Sequence, residues 1–284
     1  LGTQIHSLNV LNGPATVDLL FSGVISGTGG VTKISTGTVQ FSGASPNTYS
    51  GLTTVNAGIF LLNKTAGINA IAGDILVNGG TLTLSAANQI SNTSVATLST
   101  GTFNMGGFSE TVGGFVYNGG TFTQAGGTLT MANSSTALSM RNTTISGALV
   151  VSGGGDIVFD ATNNGTATVS GTLSLTGGTS QFNIANGTSA TDMLVSGVIS
   201  STGAGITKIG LGTLQFSGAV ANTYSGLTTV SNGNLLLTKI AGINAIGGDA
   251  LINGGALVLG AANQIPNTAI VTLSSGTLNL SGFA

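Results

Sequence analysis

The 284 residues include 48 Gly, 3 Pro, no Cys and no Trp; 41% are hydrophobic but only 4% are charged, against about 25% in an ordinary soluble domain. A formal net charge of −2 with five basic residues builds neither a phosphate-binding stripe nor a long-range field, so no nucleic acid partner is expected. The apolar share suffices for a core. Gly, Ser, Thr or Asn interrupts every apolar run before the roughly 18 residues of a membrane helix, so no membrane insertion of this segment is expected.

Taken in order, residues 7–26 read SLNVLNGPATVDLLFSGVIS, and residues 181–200 answer with QFNIANGTSATDMLVSGVIS. Residues 42–90 return at 217–265, and 51–90 is identical to 226–265 at 28 of 40 positions. A finer beat lies inside each copy. A Gly opens a short alternating strand at Gly37, Gly58, Gly80 and Gly101, spaced evenly to within one position. Gly212, Gly233, Gly255 and Gly276 repeat the same spacings. Between the copies the beat loosens, at Gly120, Gly127 and Gly171.

A period of about 20–25 residues marks a solenoid whose every turn is one coil. The fixed Leu/Asn pattern of leucine-rich repeats is missing, and Gly, Thr, Ser and Val are poor helix formers. The second and fourth residues after each Gly are apolar: Val39 and Phe41, Leu82 and Leu84, Phe103 and Met105. The second copy has Leu214 and Phe216, Leu257 and Leu259, Leu278 and Leu280. Two residues along a strand return to the same face, so these columns are predicted to stack inward. Roughly 13 coils spaced about 4.8 Å apart make a rod of about 60 Å. Gly supplies the corners, and NGG at Asn78, Asn118 and Asn253 fits a corner at which Asn can stack into amide-satisfying ladders.

The expected fold is all-β, a right-handed parallel β-helix (β-solenoid) of roughly 21–22 residues per coil. Residues 1–284 read as one continuous solenoid, with 1–180 the first tandem unit and 181–284 a second, truncated one. The sequence stops one residue after Phe283, whereas the matching Phe108 runs on into SETVGGF, and it reads as part of a longer chain.

Two stretches carry a family resemblance: GVTKISTGTVQFSGASPNTYSGLTTVNAGIFLL from Gly30, and GITKIGLGTLQFSGAVANTYSGLTTVSNGNLLL from Gly205. They resemble the autotransporter-associated β-strand repeat, also called the passenger-associated transport repeat. The resemblance covers these two stretches, together less than a quarter of the chain. It departs from the family pattern at Ser35, and at Leu52 and Leu227, where the family has Gly. It implies a β-helical passenger outside a bacterium, at the cell surface, and brings no catalytic residue with it.

Candidate chemistry is thin. The acids are Asp18, Asp74, Glu110, Asp156, Asp160, Asp192 and Asp249, and His6 is the one His. A polysaccharide lyase needs acidic calcium ligands plus a base, for which Asp156, Asp160 and Arg141 are the local set; they read as solvated loop charges. GGGDIVFD at 153–160 lacks calcium-repeat spacing and reads as a turn. No metal, no cofactor and no enzymatic activity is expected. Four charges recur between copies: Asp18 and Asp192, Lys33 and Lys208, Lys64 and Lys239, Asp74 and Asp249. They read as corner solubility, with Lys64 and Asp74, and Lys239 and Asp249, within pairing reach.

The outward positions of the alternating strands are Gln40, Leu61, Thr83 and Asn104, then Gln215, Leu236, Val258 and Asn279. Apolar side chains at matched outward positions make Leu61, Leu236 and Val258 the candidate lateral or self-association surface. The function expected is an extracellular structural or adhesive surface protein, a repetitive rod able to assemble into fibres. Its partners would be itself, end to end or laterally, neighbouring coils of a longer chain, and host or cell-surface ligands. Two alternatives stand. An ice-binding solenoid draws on Thr81 and Thr83, Thr121 and Thr123, and Thr128 and Thr130; a polysaccharide-degrading enzyme draws on the acids above.

Overall fold

The computed structural model describes every residue except Ser134, Asn163 and Ala284. Among the described residues the chain forms strands and no helix, so none is available to cross a membrane. It divides into two compact units, Leu1–Ala132 and Asn133–Ala284. That division follows contacts, whereas the boundary at 180/181 follows sequence repetition.

In the first unit the chain lays down strands on successive sides and returns one coil further on. One side stacks His6–Asn9, Val31–Ile34, Thr53–Val55, the start of Ile75–Leu84, the start of Val95–Asn104, and Gly114–Tyr117. A second stacks Leu19–Phe21, Thr38–Gly43, Ile59–Lys64, the ends of the same two long strands, and Thr121–Thr123. A third pairs Glu110–Val112 with Thr128–Met131. All these pairings are parallel, which makes the unit a β-solenoid.

The second unit repeats the scheme. Its first side runs through Thr136–Met140, Asp156–Phe159, Ser180–Ile184, Ile206–Ile209, Thr228–Val230, Ala250–Leu259 and Val271–Asn279. Its second runs from Thr144–Ile145 through Ala167–Val169, Met193–Val195, Thr213–Gly218 and Asn234–Lys239 into the two long strands. Its third stacks Ala148–Val151, Leu173–Leu175 and Ile199–Ser200.

The duplicated coils advance by the step expected from the glycine beat, as in Val39↔Phe60 and Leu61↔Thr83. Elsewhere the step is shorter, as in Phe103↔Phe122, or longer, as in Ala167↔Met193. The loose beat has a simple cause: the strands after Gly127 and Gly171 lie on the third side, not the second. The inward columns are Val39, Phe60, Leu82 and Phe103, beside Phe21, Phe41, Leu62 and Leu84. From Val39 onward these side chains are buried, and Phe41 meets Phe60 edge-on at 4.6 Å between ring centres. Each such burial contributes about 1.5–3 kcal/mol. Leu278 is half-buried and Leu280, beyond the last strand, is 48% exposed, because no described coil covers them.

Gly58 shows why the beat begins on glycine. Its φ is +64°, and a Cβ there would lie 2.4 Å from the Gly37 carbonyl oxygen of the coil before. Asn78 and Asn253, expected in buried ladders, are instead exposed, accepting weak hydrogen bonds from the Thr100 and Ser275 hydroxyls at 3.4 and 3.3 Å. Their corner turns outward; the buried carboxamides are elsewhere.

Candidate functional site

The repeated lysines are not corner solubility: all four are buried. Lys33 occupies an inward position of Val31–Ile34 and is 0% exposed. The chain turns at Ser35 (φ 65°), leaving carbonyls facing inward. The Lys33 ammonium donates to the oxygens of Ile34 at 2.9 Å, Ser35 at 2.6 Å and Ala57 at 3.2 Å, the last from the next coil. Lys208 repeats the cage on Ile209, Gly210 and Asn232 at 2.8, 2.8 and 3.1 Å. Three N–H donors thus meet three backbone carbonyls, of which Ile34 O also accepts the Val10 N–H at 3.5 Å. Burial lowers the pKa of Lys33, and that of Lys208 to about 8, with Asp18 and Asp192 respectively opposing the shift.

Lys64 and Asp74, and Lys239 and Asp249, though within pairing reach on the sequence, do not pair. Strand alternation turns both lysines inward, where Lys64 donates to Ser42 O and Lys239 to Ser217 O, each at 2.8 Å. Asp74 and Asp249 lie exposed and accept the backbone N–H of Val95 and Ile270, one coil on, at 2.8 Å. Asp18 accepts from Gly13 and Thr38 N–H, and Asp192 from Gly187 and Thr213 N–H, all at 2.7 Å. Those backbone bonds hold the Asp18 carboxyl below its ordinary range.

Asn47, Tyr49 and Gln89, to which the sequence assigns no role, extend the pattern together with Glu110. Buried Asn47 accepts Ile25 N–H and donates to Ala70 O, and Asn222 does the same with Ile199 and Ala245. Tyr49 and Tyr224 bury hydroxyls against Thr53 and Thr228 Oγ1 at 2.7 Å, and burial raises both pKa values. Gln89 accepts Lys64 N–H, and Glu110 accepts from Gln89 and Thr111 N–H at 2.7 and 3.1 Å. Glu110 is buried, which pushes its pKa up to about 7 against those hydrogen bonds. The available signal was the survival of Asn, Tyr and Gln unchanged in both copies.

The lyase candidates do not assemble. Arg141 pairs with Asp160 at 2.9 Å, and Asp160 also accepts from Thr162. Those contacts hold the Asp160 carboxyl below its usual range, the Thr162 hydroxyl first among them. Asp156 sits four residues back on the strand, about 13 Å away in an extended chain. Of residues 153–160, read from the sequence as a turn, only Gly153–Gly154 form one, and Asp156–Phe159 are a strand. Among the described residues no three His, Cys, Asp or Glu side chains converge, and exposed His6 bonds Leu1 O at 2.7 Å.

The outward column keeps its expected register. Gln40, Leu61, Thr83 and Asn104 stand in consecutive coils, as do Gln215, Leu236, Val258 and Asn279. Leu61, Leu236 and Val258 are half-buried beside fully buried inward neighbours. Ile59, two residues from Leu61, is 41% exposed, and Leu52 and Leu227 are exposed in both copies. The Thr pairs divide between sides: Thr81, Thr102 and Thr121 align on the second, while Thr128 and Thr130 stand on the third.

Comparison with known families places the passenger-associated-transport-repeat on residues 31–62 and 206–237. Each window begins at the strand bearing the caged lysine, includes the Asn–Tyr latch, and ends in the strand bearing Leu61 or Leu236. No curated protein and no solved structure matches the chain.

Proposed function

We propose that this chain, whose duplicated coils carry two passenger-associated transport repeats, is a structural and adhesive segment of a bacterial passenger displayed outside the cell. One observation carries the reading: the buried polar residues shared by both repeats are consumed in holding coil to coil. Lys33, Asn47 and Tyr49, with Lys208, Asn222 and Tyr224, are buried and bonded within the protein, out of reach of a substrate. The repeat therefore builds a scaffold, and its outward columns make the contacts.

Self-association uses the outward columns, at Leu61 widened by Ile59 in the first unit and at Leu236 and Val258 in the second. So charge-poor a chain has little electrostatic repulsion to keep copies apart. Sedimentation of the chain and of its Leu61→Asp/Leu236→Asp variant tests this. The chain should form concentration-dependent oligomers and the variant should stay monomeric with an unchanged melting temperature. Identical sedimentation of the two would refute the lateral surface. On the native cell, electron microscopy separates filaments from individually anchored rods.

Ice binding is the second reading, favoured by Thr81 and Thr83, Thr102 and Asn104, and Thr121 and Thr123 in three successive coils. A thermal hysteresis assay decides it.

A further inference from the structure

Each duplicated segment builds a pocket with the same carboxamides. In the first unit a cavity of about 410 Å3 opens beside the corner that precedes the buried Gln89, lined by Asn69, Asn88, Asn92 and Thr93. In the second a cavity of about 440 Å3 is lined by Asn244, Asn263, Asn267 and Thr268, the counterparts of those four. No charged side chain lines either. Among the described residues, none of the six carboxamides makes a hydrogen bond within the protein. Each pocket therefore presents three free donor–acceptor groups.

The scaffold does not require all of these residues. Asn88 and Asn263 hold φ of 52° and 55°, a conformation Asn tolerates, so their retention has a backbone reason. The side chains of Asn69 and Asn92, and of Asn244 and Asn267, have no such role. Elsewhere on the surface the copies have drifted: exposed Asn56 and Asn63 are replaced by Ser231 and Thr238, Ile59 by Asn234, and Thr83 by Val258. The pocket carboxamides stayed while neighbouring surface positions changed, and within the lining itself Ser91 gives way to Pro266.

We propose that the two pockets are equivalent binding sites for a neutral carbohydrate. Carboxamides both donate and accept, as sugar hydroxyls do, and the lack of fixed charge disfavours an anionic or cationic ligand. Buried Glu110 braces the first site from behind, its carboxylate accepting the Gln89 N–H next to Asn88. Affinity is on the order of a millimolar per site, since each hydrogen bond gained replaces one to water. The inference goes beyond the scaffold reading and stands whether or not the chain self-associates.

The test uses the intact chain against a panel of neutral oligosaccharides of glucose, galactose, mannose and N-acetylglucosamine, followed by NMR titration. At least one glycan should bind saturably at two sites per chain. Asn69→Ala/Asn92→Ala should abolish the first site, and Asn244→Ala/Asn267→Ala the second. The quadruple variant should lose binding with an unchanged melting temperature, and Asn63→Ala should change nothing. No saturable binding across the panel, or binding that survives the quadruple variant, would overturn the proposal. Sedimentation of the same samples reports self-association separately.

Discussion

Replacing Lys208 with Met removes an ammonium from a cage of three backbone carbonyls while keeping much of the side-chain volume. Ile209, Gly210 and Asn232 each lose a donor at 2.8–3.1 Å. A buried carbonyl left without a donor costs about 1–3 kcal/mol. Against that stands relief from burying a charge, visible as the fall of the Lys208 pKa to about 8. The expected net loss near pH 7 is therefore about 0–5 kcal/mol, rising with pH as the amine loses its charge. The pH dependence separates the two effects. A lysine depressed from 10.5 to about 8 binds fewer protons folded than unfolded between those values. Its contribution to stability therefore grows as pH rises from about 8 to 10.5, and is lost as pH falls back through 8. Urea unfolding at a series of pH values from 7 to 10.5 checks both statements, following the second unit by hydrogen exchange near Gly210 and Asn232. The wild-type chain should gain stability over that range through this group, and Lys208→Met should lack the gain. A variant as stable as wild type at both ends of the range would refute the cage as a stabilising element.

Other expectations follow from the same contacts. Gly58→Ala and Gly233→Ala each force a side chain into positive φ, with the Cβ 2.4 Å from a backbone oxygen, and each should cost about 2 kcal/mol or more by thermal unfolding. Gly210→Ser should also destabilise, because its Cβ would lie 2.4 Å from Ile184 O, whereas Ser35→Gly should change stability by less than about 1 kcal/mol: strain is relieved but the bond to Asn9 is lost. Tyr49→Phe removes a buried 2.7 Å hydrogen bond and leaves Thr53 Oγ1 without it, for a loss of about 1–2 kcal/mol in urea. Glu110 titrates in the opposite sense to the lysines. Its raised pKa favours the fold at low pH, and that contribution disappears as pH rises through about 7, so Glu110→Gln should flatten the stability profile between pH 4.5 and 7.

The coil period and the inward columns were legible because a strand alternates with period two and a solenoid reuses its corners; Val39, Leu82 and Leu214 sit where Gly37, Gly80 and Gly212 place them. The outward register of Leu61 and Leu236 followed from the same counting. The inward lysines look like surface charges in the sequence for a physical reason. Alternation places Lys33 and Lys64 inward, but a lysine in a core is unfavourable unless something receives it, and the receivers are backbone carbonyls with no signature in the sequence. Asn47 and Gln89 escaped notice likewise, since their partners lie one coil away, at Ile25, Ala70 and Lys64.

The sequence by itself determined the repeating strand, its period, and which face of it is apolar, because these are local consequences of side-chain alternation and of glycine spacing. Only the tertiary structure decided which polar groups are scaffold and which remain free. That choice depends on stacking: one coil brings its carbonyls and N–H groups over the next, and a side chain's role is set by what lies about 4.8 Å above or below it. Lys208, chemically able to act at a surface, is spent inside its cage, while Asn69 and Asn92 are left facing solvent with their hydrogen-bonding groups unused.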